Sequence, residues 1–362
     1  MPCWHPEFVA NQARHALPLR RDHSSWFASL YKHCGEYGSG QANKREEAHF
    51  DVRTWCGGVH YCHGIRDLLS REGHQSVSAE AFCSCVVVAI EFKQPMMFDE
   101  SPIQAWRLRY GSKADELPDL EKFLNHRSVR HFANRPISES MMVGLVAAAQ
   151  SAATSSNLQL WSVVSVQDPD RRAKIAELCG NQEHVKTCGL FFAFLADVHR
   201  IQSAAKAVGE AAEGLDYTEF FTMAVIDAAL AAERMVCAAE SLGLGICYIG
   251  GLRNNPQGVK ELLGFPEGVF GVFGLCIGWP EEPSTAEIKP RLAQEAVWFK
   301  EQYEVDPSVA EYDERMKDFY VSQKMKAEAT WSMRSGRRVG TTQLTGREVL
   351  LKWLQAQGFL RR

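Results

Sequence analysis

The segment from Glu219 to Leu242 sets the strongest limit on what this chain can fold into. It carries apolar residues over most of a helical circumference and stops at Gly243. A helix apolar on most faces must be covered from several sides, which marks it as a core helix. Apolar strands gather around it in the sequence. Gly189 to Val198 is a continuous apolar run, Ile246 to Ile249 and Val269 to Ile277 are two more, and Leu158 to Val166 is rich in Val, Leu and Trp. Ser138 caps a helix with Glu139 in its first turn and Met141, Met142, Leu145, Val146 and Ala149 near helical spacing. Pro169 to Cys179 reads as a helix that Gly180 ends, and Ala114 to Leu124 as a short one. Helices interleaved with roughly four strands make the class α/β or α+β. No Gly-x-Gly-x-x-Gly follows a strand and no Gly-x4-Gly-Lys-Ser/Thr is present, which argues against Rossmann and P-loop sites.

Two cationic elements flank this framework. His126-Arg127-Ser128-Val129-Arg130-His131-Phe132 packs guanidiniums, a hydroxyl and imidazoles into one short stretch, and Lys289-Pro290-Arg291 follows the last apolar strand. These are the donors that a phosphate dianion calls for. Between them, Gly250-Gly251 closes the strand Ile246-Cys247-Tyr248-Ile249. An anion with a flat body against a glycine backbone accounts for all three; three solvated basic loops account for them equally well on residue types alone.

The run from His126 to Arg347 resembles the oxygen-insensitive nitroreductase and flavin reductase P family. The resemblance is carried, in order, by His126 to Phe132, Gln182-Glu183-His184-Val185, Ala238 to Gly245, Tyr248 to Asn255, Gly274 to Pro280, Lys289-Pro290-Arg291, Tyr312-Asp313-Glu314 and Gln357-Gly358-Phe359. It implies an α+β nitroreductase-like fold with a central mixed sheet flanked by helices. It also implies a homodimer with FMN sites at the subunit interface, and a C-terminal extension, residues 298–362, wrapping the partner subunit. The implied activity is two-electron, ping-pong transfer from NADPH or NADH through FMN to nitroaromatics, quinones or related acceptors. A flavin reductase supplying reduced FMN to a partner oxygenase, or a non-catalytic flavin-binding protein, is the alternative. Chemistry of this kind belongs to the cofactor, and the protein contributes placement and electrostatics.

Carried over residue by residue, the resemblance assigns His126, Arg127, Ser128, Arg130, Lys289 and Arg291 to the FMN phosphate and nearby ring oxygens. Ser155 and Ser156 fall in the family's hydroxyl-rich turn beside the ring. Gln182 can both donate to and accept from its pyrimidine edge. Tyr248, Ile249, Gly250 and Gly251 bring main chain against the flavin, the glycines by lacking a side chain. Asn157, Lys324, Lys326 and Arg347 are assigned to the substrate and NAD(P)H side. Two departures stand out. Asn157 occupies a place where relatives carry an aromatic, and Gln323-Lys324-Met325-Lys326-Ala327-Glu328 lacks the arginine forks that grip a 2′-phosphate.

Residues 1–95 fall outside the resemblance. They hold Cys3, Cys34, Cys56, Cys62, Cys83 and Cys85 and show no sustained helical or strand period. Cys56, His60, Cys62 and His63 are close together, but their spacing fits none of the usual structural zinc patterns, and no metal is expected. Residues 1–95 are therefore read as a disordered extension or the product of a mis-assigned start, with Met96 or Met97 as an ordinary start before the domain at 96–362. The net charge of −4 gives no reason to expect nucleic acid or a membrane surface as partner. No apolar run approaches a membrane span and the first residues lack a signal-peptide core, so a cytoplasmic protein with reduced thiols is expected. Cys179, Cys188, Cys237, Cys247 and Cys276 read mostly as small core residues.

Overall fold

The structure is a computed structural model, and it describes residues 49–50, 77–78, 101–112, 120–305, 308–325 and 329–362. The chain divides into two units, Met1–Lys93 and Gln94–Arg362. In the first, the described residues are a two-residue antiparallel pair, His49–Phe50 with Val77–Ser78. Cys56, His60, Cys62 and His63 lie outside the described residues, as do Met96 and Met97.

The second unit is built on a four-stranded sheet. Its strands are β1 (Trp161–Ser165), β2 (Leu190–Asp197), β3 (Gly245–Ile249) and β4 (Val269–Gly278), in the order β1-β2-β4-β3. All eight residues of β2 are buried. Leu190, Phe192, Phe194 and Ala196 face one core cluster, and Phe191, Ala193 and Leu195 face the other. That two-sided burial is why β2 reads as an unbroken apolar run and not as an alternation. The named strands pair antiparallel throughout, and the sheet is mixed only at its edge, where Ser128 forms a parallel bridge with Ile246.

The long helix runs Thr218–Ser241, within a residue of its expected limits. Ala224, Ala228, Ala231, Ala232 and Ala239 are buried in the same cluster as Phe192 and Phe194 of β2. Small side chains let the helix axis lie close to the sheet. The helix Glu139–Gln150 packs beside it, with Ser138 Oγ accepting from the Met141 N–H at 3.2 Å as the capping pattern predicts. Residues of Pro169–Leu178 and Pro256–Leu263 join the cluster on the other face. Of the expected 114–124 helix, Glu121–Leu124 is seen; residues 113–119 lie outside the described set.

Four of the five described cysteines are buried, and burial pushes the Cys179 thiol up to about 12. The C-terminal extension is divided. Tyr312, Met316 and Tyr320 form a small cluster of their own with Leu292, Phe319 and Trp331, whereas Leu354 and Phe359 return to the main core. Arg361 and Arg362 then donate their N–H groups to the Asp216 carbonyl. The end of the extension is thus fixed to its own subunit. No helix among the described residues is long and apolar enough to cross a membrane.

Candidate functional site

The loop His126–Phe132 lies along the free edge of β3. The Val129 N–H donates to the Ile246 carbonyl at 2.8 Å, and a Cβ on Gly245 would sit 2.5 Å from Val129 Cγ2. The missing side chain at Gly245 is what lets the loop dock so closely. Val129 and Arg127 turn inward and are buried, and Arg130 is exposed.

A residue outside every motif of the sequence analysis brings the two cationic motifs together. Arg109, 5% exposed, ends the helix Pro102–Tyr110. Its guanidinium donates to the Leu124 carbonyl at 2.9 Å and the His126 carbonyl at 2.6 Å. Its own carbonyl accepts from the Arg291 N–H at 2.8 Å. One arginine therefore ties the start of the loop to the Lys289–Arg291 segment.

The electrostatics at this junction are strongly one-signed. Partial burial, then Arg130 and Arg291, hold the Lys289 ammonium below its ordinary range. Burial, then Arg130 and His131, lower the His184 imidazole in the same way. Cys247, whose Sγ lies 3.8 Å from His184 Nε2, is raised by burial, with Arg130 and Lys289 opposing. His126 Nδ1 pairs with Glu240 Oε1 of the long helix at 2.6 Å. Cations crowded this closely are the donor set of an anion site.

The glycine turn follows β3 directly. Arg347 donates to the Gly250 carbonyl at 2.9 Å and to Asn254 Oδ1 at 3.0 Å, so a guanidinium expected on the substrate side also braces the turn. The reason for Gly251 differs from the expected one. A Cβ there would meet the Cys179 carbonyl at 2.5 Å and Gln182 Nε2 at 2.8 Å, so packing against the protein's own backbone already requires glycine. At Gly250 a Cβ meets nothing nearer than Arg253 at 3.5 Å. Gln182 donates through Nε2 to the Cys179 carbonyl at 2.8 Å, which fixes which end of the amide stays available. Ile249 is buried, so only its main chain can face a ligand. Tyr248 is the one residue of β3 that reaches the surface; its hydroxyl donates to Glu233 Oε2 at 3.0 Å, and partial burial of the phenol, then that carboxylate, push it up.

Ser155, Ser156 and Asn157 form a 3-10 turn after the Ser138-capped helix. Among the described residues no hydrogen bond joins this turn to the Gly250 turn; it is tied to Asp227 of the long helix. Lys324 is exposed beyond the helix Ala310–Ser322, and Lys326 lies outside the described residues. Arg109 and Asp227 carry no signal in the sequence, and Glu240, though inside the Ala238–Gly245 motif, has no role legible there, because each acts on residues distant along the chain and leaves no local pattern.

Comparison with known proteins matches residues 124–279 to the nitroreductase family and residues 289–362 to the nitroreductase family, C-terminal domain. The chain is 42% identical over 220 residues to FMN reductase (NADPH) of Bacillus subtilis, covering 59% of this chain and 88% of that protein. It is 36% identical over 249 residues to the oxygen-insensitive NADPH nitroreductase of Salmonella typhimurium, covering 68% and 99%. The solved NfrA1 nitroreductase of B. subtilis superposes with a TM-score of 0.62 at 38% identity, over 67% of this chain and 99% of that one. With the loop docked on β3, the bracing of the glycine turn and both halves of the family pattern in sequence order, the chain belongs to the nitroreductase family.

Proposed function

We propose that the protein is an FMN-dependent NAD(P)H oxidoreductase that reduces nitroaromatics, quinones or related small acceptors. The observation that carries this reading is the cationic junction that Arg109 assembles from two motifs more than a hundred positions apart. Its residues fit the phosphate of FMN: Arg130, Lys289 and Arg291 offer charge, Ser128 a hydroxyl, and Arg127 and His126 shape the loop that presents them. Bound FMN supplies the two-electron chemistry, taken from a nicotinamide and passed to the acceptor.

The protein's own part is placement. Because Arg347 holds the Gly250 carbonyl, the plane of that peptide is set, and with it the direction of the Gly251 N–H that would face the ring. A fixed N–H dipole stabilises negative charge developing beside it. Gln182 presents its free amide end to the pyrimidine edge. Ser155 and Ser156 would line the ring when FMN is bound, and Asn157 the acceptor side.

The site is completed by a second subunit. Ile226 and Leu230, 46% and 44% exposed on the long helix, and Trp298 and Tyr303, 64% and 76% exposed at the start of the extension, are apolar surface that a homodimer covers. The free thiols, the relatives' chemistry and the lack of a membrane-crossing helix among the described residues support a cytoplasmic setting. Lys324 offers a mobile charge where forks are missing, so NADPH is preferred over NADH by roughly tenfold or less, about 1.4 kcal/mol. The 42% identity to a protein named FMN reductase favours one further reading, in which free FMN is the acceptor. The test is a yellow purified dimer bleached by NADPH, followed by turnover with nitrofurazone against turnover with free FMN. A colourless protein that takes up no FMN overturns the proposal; turnover with free FMN alone selects the second reading.

A further inference from the structure

Asp227 is a fully buried carboxylate in the middle of the long helix, flanked by Ala224, Ala228 and Ala231 of the apolar core. Among the described residues no cation pairs with it. Its two oxygens instead accept two backbone N–H groups from one short segment: Oδ1 from Ser155 at 2.8 Å and Oδ2 from Leu160 at 3.0 Å. Between those two amides the chain is held where L-residues seldom go. Ser156, Asn157 and Gln159 have φ of 48°, 55° and 53°, and none of them is glycine. Side chains in the left-handed region persist only when their surroundings over-determine them.

The two ends of the turn are anchored differently. At its far end Arg200 donates to the Gln159 and Trp161 carbonyls at 3.0 and 3.1 Å, and the Leu160 carbonyl accepts from the Asp197 N–H. At its near end the Ser155 N–H donates to Asp227, and between the two ends Leu158 packs against the main core cluster. Ser156, Asn157 and Gln159 are all exposed, so their strained backbone adds nothing to the core. Burying a carboxylate without a cation is unfavourable unless its hydrogen bonds are satisfied. A buried acid spent on holding exposed residues points to the placement of those residues as its purpose.

We infer that Asp227 is a positioning residue: its carboxylate clamps both ends of the Ser155–Gln159 turn and so shapes the acceptor side of the site. The inference rests on the reading of Asn157 as part of that side. Gln159 Nε2 donates to Asn157 Oδ1 at 3.4 Å, so the turn sets the direction of the Asn157 amide as well as its backbone. Asp227 touches no reacting atom; it acts through Ser155 and Leu160.

Asp227→Asn keeps the size and one acceptor oxygen but sets an NH2 group against one of the two amides. In the FMN-loaded enzyme the expected result is a KM for nitrofurazone raised tenfold or more, with kcat changed less than threefold and the flavin content unchanged. Val236→Ala, on the same helix and remote from the turn, is the control: it lowers Tm and leaves KM where it was. Equal KM changes in both variants, or a fall in kcat without a change in KM, overturn the inference. Should Asp227→Asn fail to fold, hydrogen exchange on the wild-type holoenzyme decides. The Ser155 and Leu160 amides should exchange at least tenfold more slowly than the Gln159 amide, and equal rates overturn the clamp. A wild type with slow Ser155 and Leu160 amides but no acceptor turnover would instead reject the functional reading and leave the clamp standing.

Discussion

Strand β2 and the His126–Phe132 loop are separated by only two strands of the same sheet, and different physics holds each in place. β2 is fixed by burial on both faces, with Phe194 stacked between Trp161 at 6.1 Å and Phe273 at 5.7 Å. The loop is fixed by a parallel bridge to β3 and by polar ties from Arg109 and Glu240, which lie 17 and 114 positions from His126. One region is defined by what it excludes from water, the other by donors and acceptors that must find specific partners. Burial is redundant, because many neighbours share it. The polar ties are few, so losing one changes where the loop sits and what it can hold.

The largest expected effect is on the buried side of this comparison. Phe194→Ala should destabilise the fold by about 3–5 kcal/mol, the range for truncating a buried aromatic. FMN affinity of the remaining folded protein should be unchanged. Urea unfolding and flavin titration on the same preparation check both halves. A loss of FMN affinity as large as the loss of stability would mean that the two regions are not separable.

Arg109→Met probes the link between them. It removes two charged hydrogen bonds and leaves the Leu124 and His126 carbonyls without their donor, which should cost about 3 kcal/mol of stability. Unlike Phe194→Ala, it should also weaken FMN, because it frees the start of the loop from the segment that carries Lys289 and Arg291. The same two measurements decide the matter, and a variant that loses stability alone would reduce Arg109 to a packing residue. On the open side, Arg130→Ala should weaken FMN by roughly 1.5–3 kcal/mol, the range for hydrogen bonds to a charged group. With an exposed side chain, Arg130 should change stability by no more than about 0.5 kcal/mol. Isothermal titration with FMN and a melting curve are sufficient.

The same division decides what could be read from the sequence. β2, β4 and the long helix were legible because apolar runs are long and their burial is local in cause; Thr218–Ser241 falls one residue from its expected span. The strand begins at Trp161 and not at the expected Leu158, because Leu158 is still in the turn with φ of −75° and Gln159 is left-handed, held by contacts of this segment with Asp227 and Arg200 that no period encodes. The helix Pro102–Tyr110 has no counterpart in the sequence pattern, because its two arginines interrupt any apolar stripe. The cationic motifs were visible as motifs, whereas their convergence depends on Arg109, a single side chain. Gly251 was marked for a ligand's approach, yet the Cys179 carbonyl alone demands it.

The smallest effect is also the one that best separates the site's charge from its fold. Lys289 titrates below its ordinary value of 10.5 because burial, Arg130 and Arg291 all oppose its charge. In the unfolded chain those influences are gone. Between the two values the unfolded chain holds the extra proton, so the apoprotein gains stability from this group as pH rises through that window, and nothing further above it. A phosphate dianion reverses the preference by stabilising the ammonium. FMN binding then takes up a proton, and affinity falls as pH rises through the Lys289 value. Apoprotein stability and FMN affinity should therefore run in opposite directions across one alkaline window. Urea unfolding of the apoprotein and fluorescence titration of FMN, both stepped upward from neutrality, record the two slopes. Lys289→Met should flatten both and raise the stability of the apoprotein on the acid side of the window toward its alkaline level. Parallel slopes, or an affinity slope that survives the substitution, would show that the phosphate is held by other cations and that Lys289 only lines the edge of the site.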